Sequence, residues 1–129
     1  MVIVDASVLV AALVDSGESG RWAEEIVLGE ELITPHLAPV EAANVLRRLE
    51  SSGRVTSADA DRARRHLLRL DLNLFPFEPF ADRIWELRHN LTSYDAWYVA
   101  LAEGLDLALA TLDRALAEAS GPRCSFVLP

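Results

Sequence analysis

The sequence predicts an α/β protein with a mainly parallel sheet covered by helices. Three observations predict it. Short β-type apolar runs alternate with segments of helical periodicity along the whole chain. Turn and cap signals such as Pro35, Gly53, Thr56 and Thr92 fall between those segments. The chain has 129 residues, 51% hydrophobic and 25% charged, the size and balance of one globular domain with a real core.

Residues 2–4 read as a buried strand, closed by Asp5. Residues 6–14 form a first helix and residues 20–28 a second, with Ser16, Gly17 and Gly20 marking the break. Residues 32–34 are a short strand stopped by Pro35. Pro39 then opens a helix with Val40, Ala43, Leu46 and Leu49 at helical spacing, ended by Gly53. Thr56 or Ser57 caps a helix over residues 58–70, and residues 72–77 are a third strand. Pro79 opens a helix running to about His89, and Thr92 or Ser93 starts another over residues 94–104. Residues 105–111 are a fourth strand, 113–119 a short helix and 124–128 a last strand. No repeat, low-complexity stretch or long linker divides the chain, so residues 1–129 are expected to form a single domain.

No apolar run reaches the ~18 residues of a spanning helix, and no basic segment precedes the first apolar stretch, so neither a membrane anchor nor a secretory signal is expected. Cys124 is the only cysteine, which excludes an intramolecular disulfide and fits a cytoplasmic location. It is expected as a small buried hydrophobe in the last strand. The net charge of −8 argues against gripping nucleic acid through the overall field, but leaves room for a local basic patch. All twelve bases are arginine.

Four acids stand out by position. Asp5 follows the first strand and Asp113 the fourth; Asp95 and Glu41 lie in the first turns of two helices. Each has a plain alternative: Asp5 and Asp113 as N-caps, Asp95 as the acid of a capping box with Thr92, Glu41 as an acid near a helix start. Together they say more. Ligands of a parallel α/β sheet bind beyond the carboxyl ends of its strands, where Asp5 and Asp113 project and the other two can reach. Unpaired carboxylates sharing a pocket repel by several kcal/mol per close pair at intermediate dielectric. A divalent cation relieves that repulsion, and oxygen ligands select Mg²⁺ or Mn²⁺. The matching chemistry is phosphoryl transfer, in which such a cation activates water and stabilises charge on phosphate oxygens.

The ordered set resembles the PIN-domain family, and within it the VapC-type toxins. The residues that carry the resemblance are Asp5 in VDASVLV, Glu41 and Asn44 in VEAANVLRR, Asp95 in SYDAWYVALA, and Thr111 and Asp113 in TLD. Ser7 matches the small hydroxyl residue that often follows the first Asp of that family. The resemblance implies a three-layer α/β/α fold with about four or five strands. It implies a Mg²⁺- or Mn²⁺-dependent endoribonuclease acting on structured RNA, a cognate VapB-like antitoxin that blocks the site, and commonly a homodimer. Asp5, Asp95 and Asp113 would hold the metal and Glu41 would complete the pocket. Ser7, Asn44 and Thr111 would fix carboxylate rotamers by hydrogen bonds.

Seven of the twelve arginines fall in residues 47–69. Arg47, Arg48, Arg64 and Arg65 are candidate RNA contacts on a basic rim; the alternative is a solvated face with pairs such as Asp61–Arg65. His36, His66 and His89 have no metal-ligand spacing and are expected to be structural or at the surface. Trp22, Trp85 and Trp97 are expected in the core or an interface, as is at least one of Tyr94 and Tyr98; the other could stack on a base. Leu9, Leu13, Ile26 and Val27 are candidates for a partner surface or plain core. A receiver-type phosphoacceptor domain would want a lysine, which is absent. A haloacid-dehalogenase-type phosphatase would want a second Asp where Ser7 stands. A PIN-like module that binds without cutting is the remaining alternative.

Overall fold

The computed structural model describes residues 1–129. Five strands form one sheet: β1 (Val2–Val4), β2 (Leu32–Pro35), β3 (Leu72–Phe75), β4 (Leu109–Ala110) and β5 (Phe126–Val127). Their order is β3-β2-β1-β4-β5 and every pairing is parallel. The helices are α1 (Ala6–Val14), α2 (Glu18–Gly29), α3 (Ala38–Ser51), α4 (Ser57–Leu67), α5 (Ala81–Glu86), α6 (Ser93–Leu105) and α7 (Arg114–Glu118).

From β1 the chain steps through β2 to β3 on one side, then returns to place β4 and β5 on the other. Right-handed crossovers in opposite directions put α1–α4 on one face of the sheet and α5–α7 on the other. The contacts agree: α1 packs on α2, α3 and α4, while α6 packs on α5, β1, β2 and β4. This is the α/β/α sandwich with a parallel sheet that the sequence predicts. The core is one cluster of 27 buried apolar residues. Helix α6 runs through it, with Ala96, Tyr98, Val99, Ala100, Leu101 and Ala102 all buried.

Several boundaries differ from the sequence reading. The fourth and fifth strands hold only two residues each. Leu105 still belongs to α6, which ends where Asp106 adopts a left-handed backbone with φ 54°. The helix expected over residues 79–89 is a 3₁₀ turn (Glu78–Phe80) followed by the short α5. Helix α2 starts at Glu18 rather than residue 20. Gly20 sits so close to the α1–α2 turn that a Cβ there would lie 1.8 Å from the Asp15 carbonyl oxygen. In α3 the buried residues are Ala38, Ala42 and Leu46; Val40 and Ala43, expected on the inner face, are exposed. Cys124 lies before β5 and is half-buried.

Candidate active site

The connection from β1 runs toward β2 and that from β4 runs the opposite way toward β5, so the crevice between the carboxyl ends of β1 and β4 is the switch point of the sheet. Asp5 follows β1 and Asp113 follows β4 by three residues, bringing both to that crevice. Glu41 comes from the first turn of α3 and Asp95 from the first turn of α6. All four line one cavity of about 740 Å³, with Ser7 and Tyr98 beside them. Its lining continues along α1 and α3 through Val10, Val14, Val45 and Leu49, and also includes Arg48 and Arg54.

Asp5 is the anchor of the site. It caps α1, accepting from the Val8 N–H at 3.2 Å. The Ser7 hydroxyl donates to its Oδ1 and the Thr111 hydroxyl to its Oδ2. Those hydroxyls are themselves held: Ser7 Oγ accepts from the Leu112 N–H at 3.1 Å and Thr111 Oγ1 from the Asp113 N–H at 2.9 Å. One hydrogen-bonded network thus ties the end of β1 to the segment after β4. Ser7 and Thr111 stand where the sequence reading puts them, on the Asp5 carboxylate.

Asp113 caps α7, accepting from the Leu116 N–H at 3.1 Å. Thr92 caps α6 by accepting from the Asp95 N–H. The capping alternatives are therefore present for Asp5 and Asp113, and for Asp95 only as the Thr92 half of the box; they do not compete with a shared pocket. The cap bond of Asp113 occupies one carboxylate oxygen and leaves the other free, while both oxygens of Asp5 accept hydrogen bonds and keep lone pairs for the cavity.

Three of the four acids are disfavoured as anions. Burial pushes the Asp5 carboxyl above its ordinary range, against the lowering effect of its hydrogen bonds. Burial likewise raises Glu41, with the charges of Asp95 and Asp5 adding to it and the Tyr98 hydrogen bond opposing. Burial raises Asp95, reinforced by Asp113 and Asp5. These are the marks of like charges gathered in a poorly solvated place. The acids do not form a closed cage, since no three acidic, histidine or cysteine side chains stand in ligating arrangement.

Asn44 departs from expectation. It is exposed and accepts from Arg47 Nε at 2.9 Å, not from any of the four acids. Three residues along a helix fall about 60° short of a full turn, enough to rotate Asn44 off the side of α3 that meets the cavity. The arginines divide as well. Arg64 and Arg65 pair with Asp61 at 2.8 and 3.4 Å, and Arg62 with Asp59 at 3.2 Å. Arg47 and Arg64 line a separate groove between α3 and α4. Arg48 shares the acidic cavity, and so does Arg54, which follows α3; neither takes part in an ion pair.

Tyr98, expected as core or as a residue stacking on a base, has a contact with the acids that the sequence reading missed. Its hydroxyl donates to Glu41 Oε1 at 3.0 Å, and burial pushes its phenol far above the ordinary range, so it remains a donor. Its only signal in the sequence is a hydroxyl in a largely apolar run three residues after Asp95, a spacing that does not by itself settle the side, as Asn44 shows. Tyr94 is exposed. So is Trp85, which stacks under Arg88 and does not join the core. The three histidines are at the surface. Leu9 is core, while Leu13, Ile26 and Val27 are half-buried.

A parallel sheet whose switch point gathers four carboxylates from four elements defines an α/β protein with an acidic carboxyl-edge site. The chain belongs to the PIN-domain family, which it matches over residues 2–122. It is 42% identical over 128 residues to a VapC ribonuclease of Mycobacterium bovis, covering 99% of this chain and 98% of that one. The crystal structure of PAE2754 from Pyrobaculum aerophilum is similar with a TM-score of 0.72 and 30% identity, over 96% of this chain and 81% of that one. The crystal structure of VapBC2 from Rickettsia felis, bound to a DNA fragment from its promoter, has a TM-score of 0.69 at 12% identity, over 100% of this chain and 99% of that one. At that identity the likeness is one of fold.

Proposed function

We propose that this chain is a divalent-metal-dependent endoribonuclease that hydrolyses phosphodiester bonds of structured RNA and so inhibits translation, as the toxin of a VapBC-like pair. The observation that carries the metal-dependent site is the meeting of Asp5, Glu41, Asp95 and Asp113 in one cavity at the switch point of the sheet. Ribonuclease activity is supported by the full-length likeness to VapC ribonucleases.

The donor set fits a hard cation. It is all oxygen, and three of its four members are disfavoured as free anions. Asp5, Glu41, Asp95 and Asp113 would hold Mg²⁺ or Mn²⁺, which supplies Lewis acidity to the phosphate oxygens and eases deprotonation of the attacking water. Ser7 and Thr111 keep both oxygens of Asp5 in fixed directions, so that its rotamer need not be ordered during reaction. Arg48 and Arg54, on the same cavity and outside any ion pair, are the chain's contacts to phosphates flanking the scissile bond. The apolar part of that lining accepts a base from an unstacked strand. A VapB-like antitoxin, a separate chain, covers this opening, and the toxin works as a homodimer in the cytoplasm.

The competing reading is a PIN-like module that binds RNA or protein without cutting. It draws on two observations: Asp5 and Asp113 both serve as helix caps, and no three acids stand in ligating arrangement. Incubating total cellular RNA with the purified chain in Mg²⁺, Mn²⁺ or EDTA separates the two, with Asp5→Asn purified in parallel. Discrete fragments that need metal and vanish with the variant are expected. Intact RNA in every lane, or equal cutting by the variant, favours the binding module.

A further inference from the structure

Glu41 is the acid whose position depends on one contact from a distant element. Asp5 accepts from three donors, and Asp113 accepts from the end of a helix backbone. Glu41 projects from the side of α3 on a longer, more flexible side chain, and its carboxylate has one partner, the Tyr98 hydroxyl at 3.0 Å. That partner belongs to another element, 57 residues away. Tyr98 is 1% exposed, locked in the apolar body of α6. A buried phenol needs a partner for its O–H, and a carboxylate beside two like charges needs a donor to stay where it is. Each meets the other's need, at the point where α1, α3 and α6 converge.

We propose that Tyr98 is a positioning residue of the acidic site, its hydroxyl holding the Glu41 carboxylate turned into the cavity. This rests on the four acids being the catalytic, metal-holding site. The hydroxyl occupies one oxygen of Glu41 and leaves the other without a hydrogen bond. Without the hydroxyl, repulsion from Asp95 and Asp5 drives the Glu41 side chain toward solvent, and the site keeps its residues but loses its arrangement.

Tyr98→Phe tests this in the full chain, because the ring and its packing stay. With a hydrogen bond to a charged group lost, Mn²⁺ affinity read by paramagnetic resonance should weaken about tenfold. The turnover number on RNA should fall by a similar factor while KM for RNA stays unchanged. In a Glu41→Ala background, Tyr98→Phe should change neither quantity further. Equal losses in both backgrounds, or no loss in the wild-type background, would overturn the proposal. If Glu41→Ala itself leaves Mn²⁺ binding and cleavage intact, the four-acid reading fails first. That outcome is distinct from an impaired Glu41→Ala with a normal Tyr98→Phe, which removes Tyr98 alone. One readout needs no substitution at Tyr98: its Cζ resonance should shift in Glu41→Ala and stay in place in Arg64→Ala. An unmoved resonance in Glu41→Ala contradicts the contact.

Discussion

At the scale of the residue, Asp5 does two jobs that pull its chemistry in opposite directions. As a cap it needs only an acceptor oxygen; as part of a metal site it needs its charge, and burial makes that charge costly. Asp5→Asn keeps an acceptor for the Val8 N–H and removes the charge. Relief of the buried charge, set against one hydroxyl that loses its acceptor, should leave stability within about 1 kcal/mol of wild type in a denaturant titration, while abolishing cleavage. A variant destabilised beyond that would show that the carboxylate is there for the fold. The pH dependence follows with a definite sign. Asp5, Glu41 and Asp95 have folded-state pKa values above their unfolded ones. Between the two values the folded chain binds more protons at these three groups, so their contribution to stability is fully present below about pH 4 and is lost as pH rises through the raised values. Thermal midpoints of wild type should fall across that range more than those of an Asp5→Asn, Asp95→Asn double variant; parallel curves would contradict the shifts. The acids were legible in the sequence because position alone brings the ends of β1 and β4 together. Asn44 was misplaced because three-residue spacing says which side of a helix is near, not which side chain reaches. Tyr98 was hidden because an aromatic in an apolar helix reads as core, which it also is.

At the scale of the element, the α3–α4 pair separates arginines that look alike in sequence. Arg64 and Arg65 spend their charge on Asp61; Arg48 and Arg54 face the acidic cavity. In RNA binding by the cleavage-dead Asp5→Asn protein, replacing Arg48 and Arg54 by Ala should flatten the salt dependence by about 0.7 per lost phosphate contact on a single strand. Replacing Arg64 and Arg65 should leave it unchanged, and the reverse pattern would move the RNA path to the outer groove. The α1–α2 turn makes a second prediction. Gly20→Ala forces a methyl against the Asp15 carbonyl, 1.8 Å away as the chain stands. It should cost about 1–3 kcal/mol of stability, read from the denaturant midpoint, where an unchanged midpoint would show that the turn simply shifts. Helix starts were readable from Thr56, Thr92 and Pro39 because caps act locally. The inner side of α3 was not, since Ala38, Ala42 and Leu46 give an equally regular stripe beside Val40 and Ala43, and tertiary packing chose between them.

At the scale of the whole molecule, sheet order turns scattered acids into a site. Had β4 added beside β3 instead of β1, Asp113 and Thr111 would lie far from Asp5, and no network through Ser7 and Thr111 could form. That order is not written in any local pattern. Alternation of strands and helices gives a parallel sheet, but which edge receives the fourth strand is a matter of tertiary packing, in which α6 lies against β1, β2 and β4. Nor could apolar runs reveal that β4 and β5 are two residues long, because the chain stays apolar on either side of the ladder. On the proposed function, this assembly holds a divalent cation. The most direct measurement is calorimetric titration of Mn²⁺ into the full chain at neutral pH, repeated below pH 4 and with Asp5→Asn. Saturable binding should appear at neutral pH and be lost in both other titrations. No saturable binding at neutral pH, or binding that survives in the variant, would contradict a metal site and leave the four acids as helix caps around a binding groove.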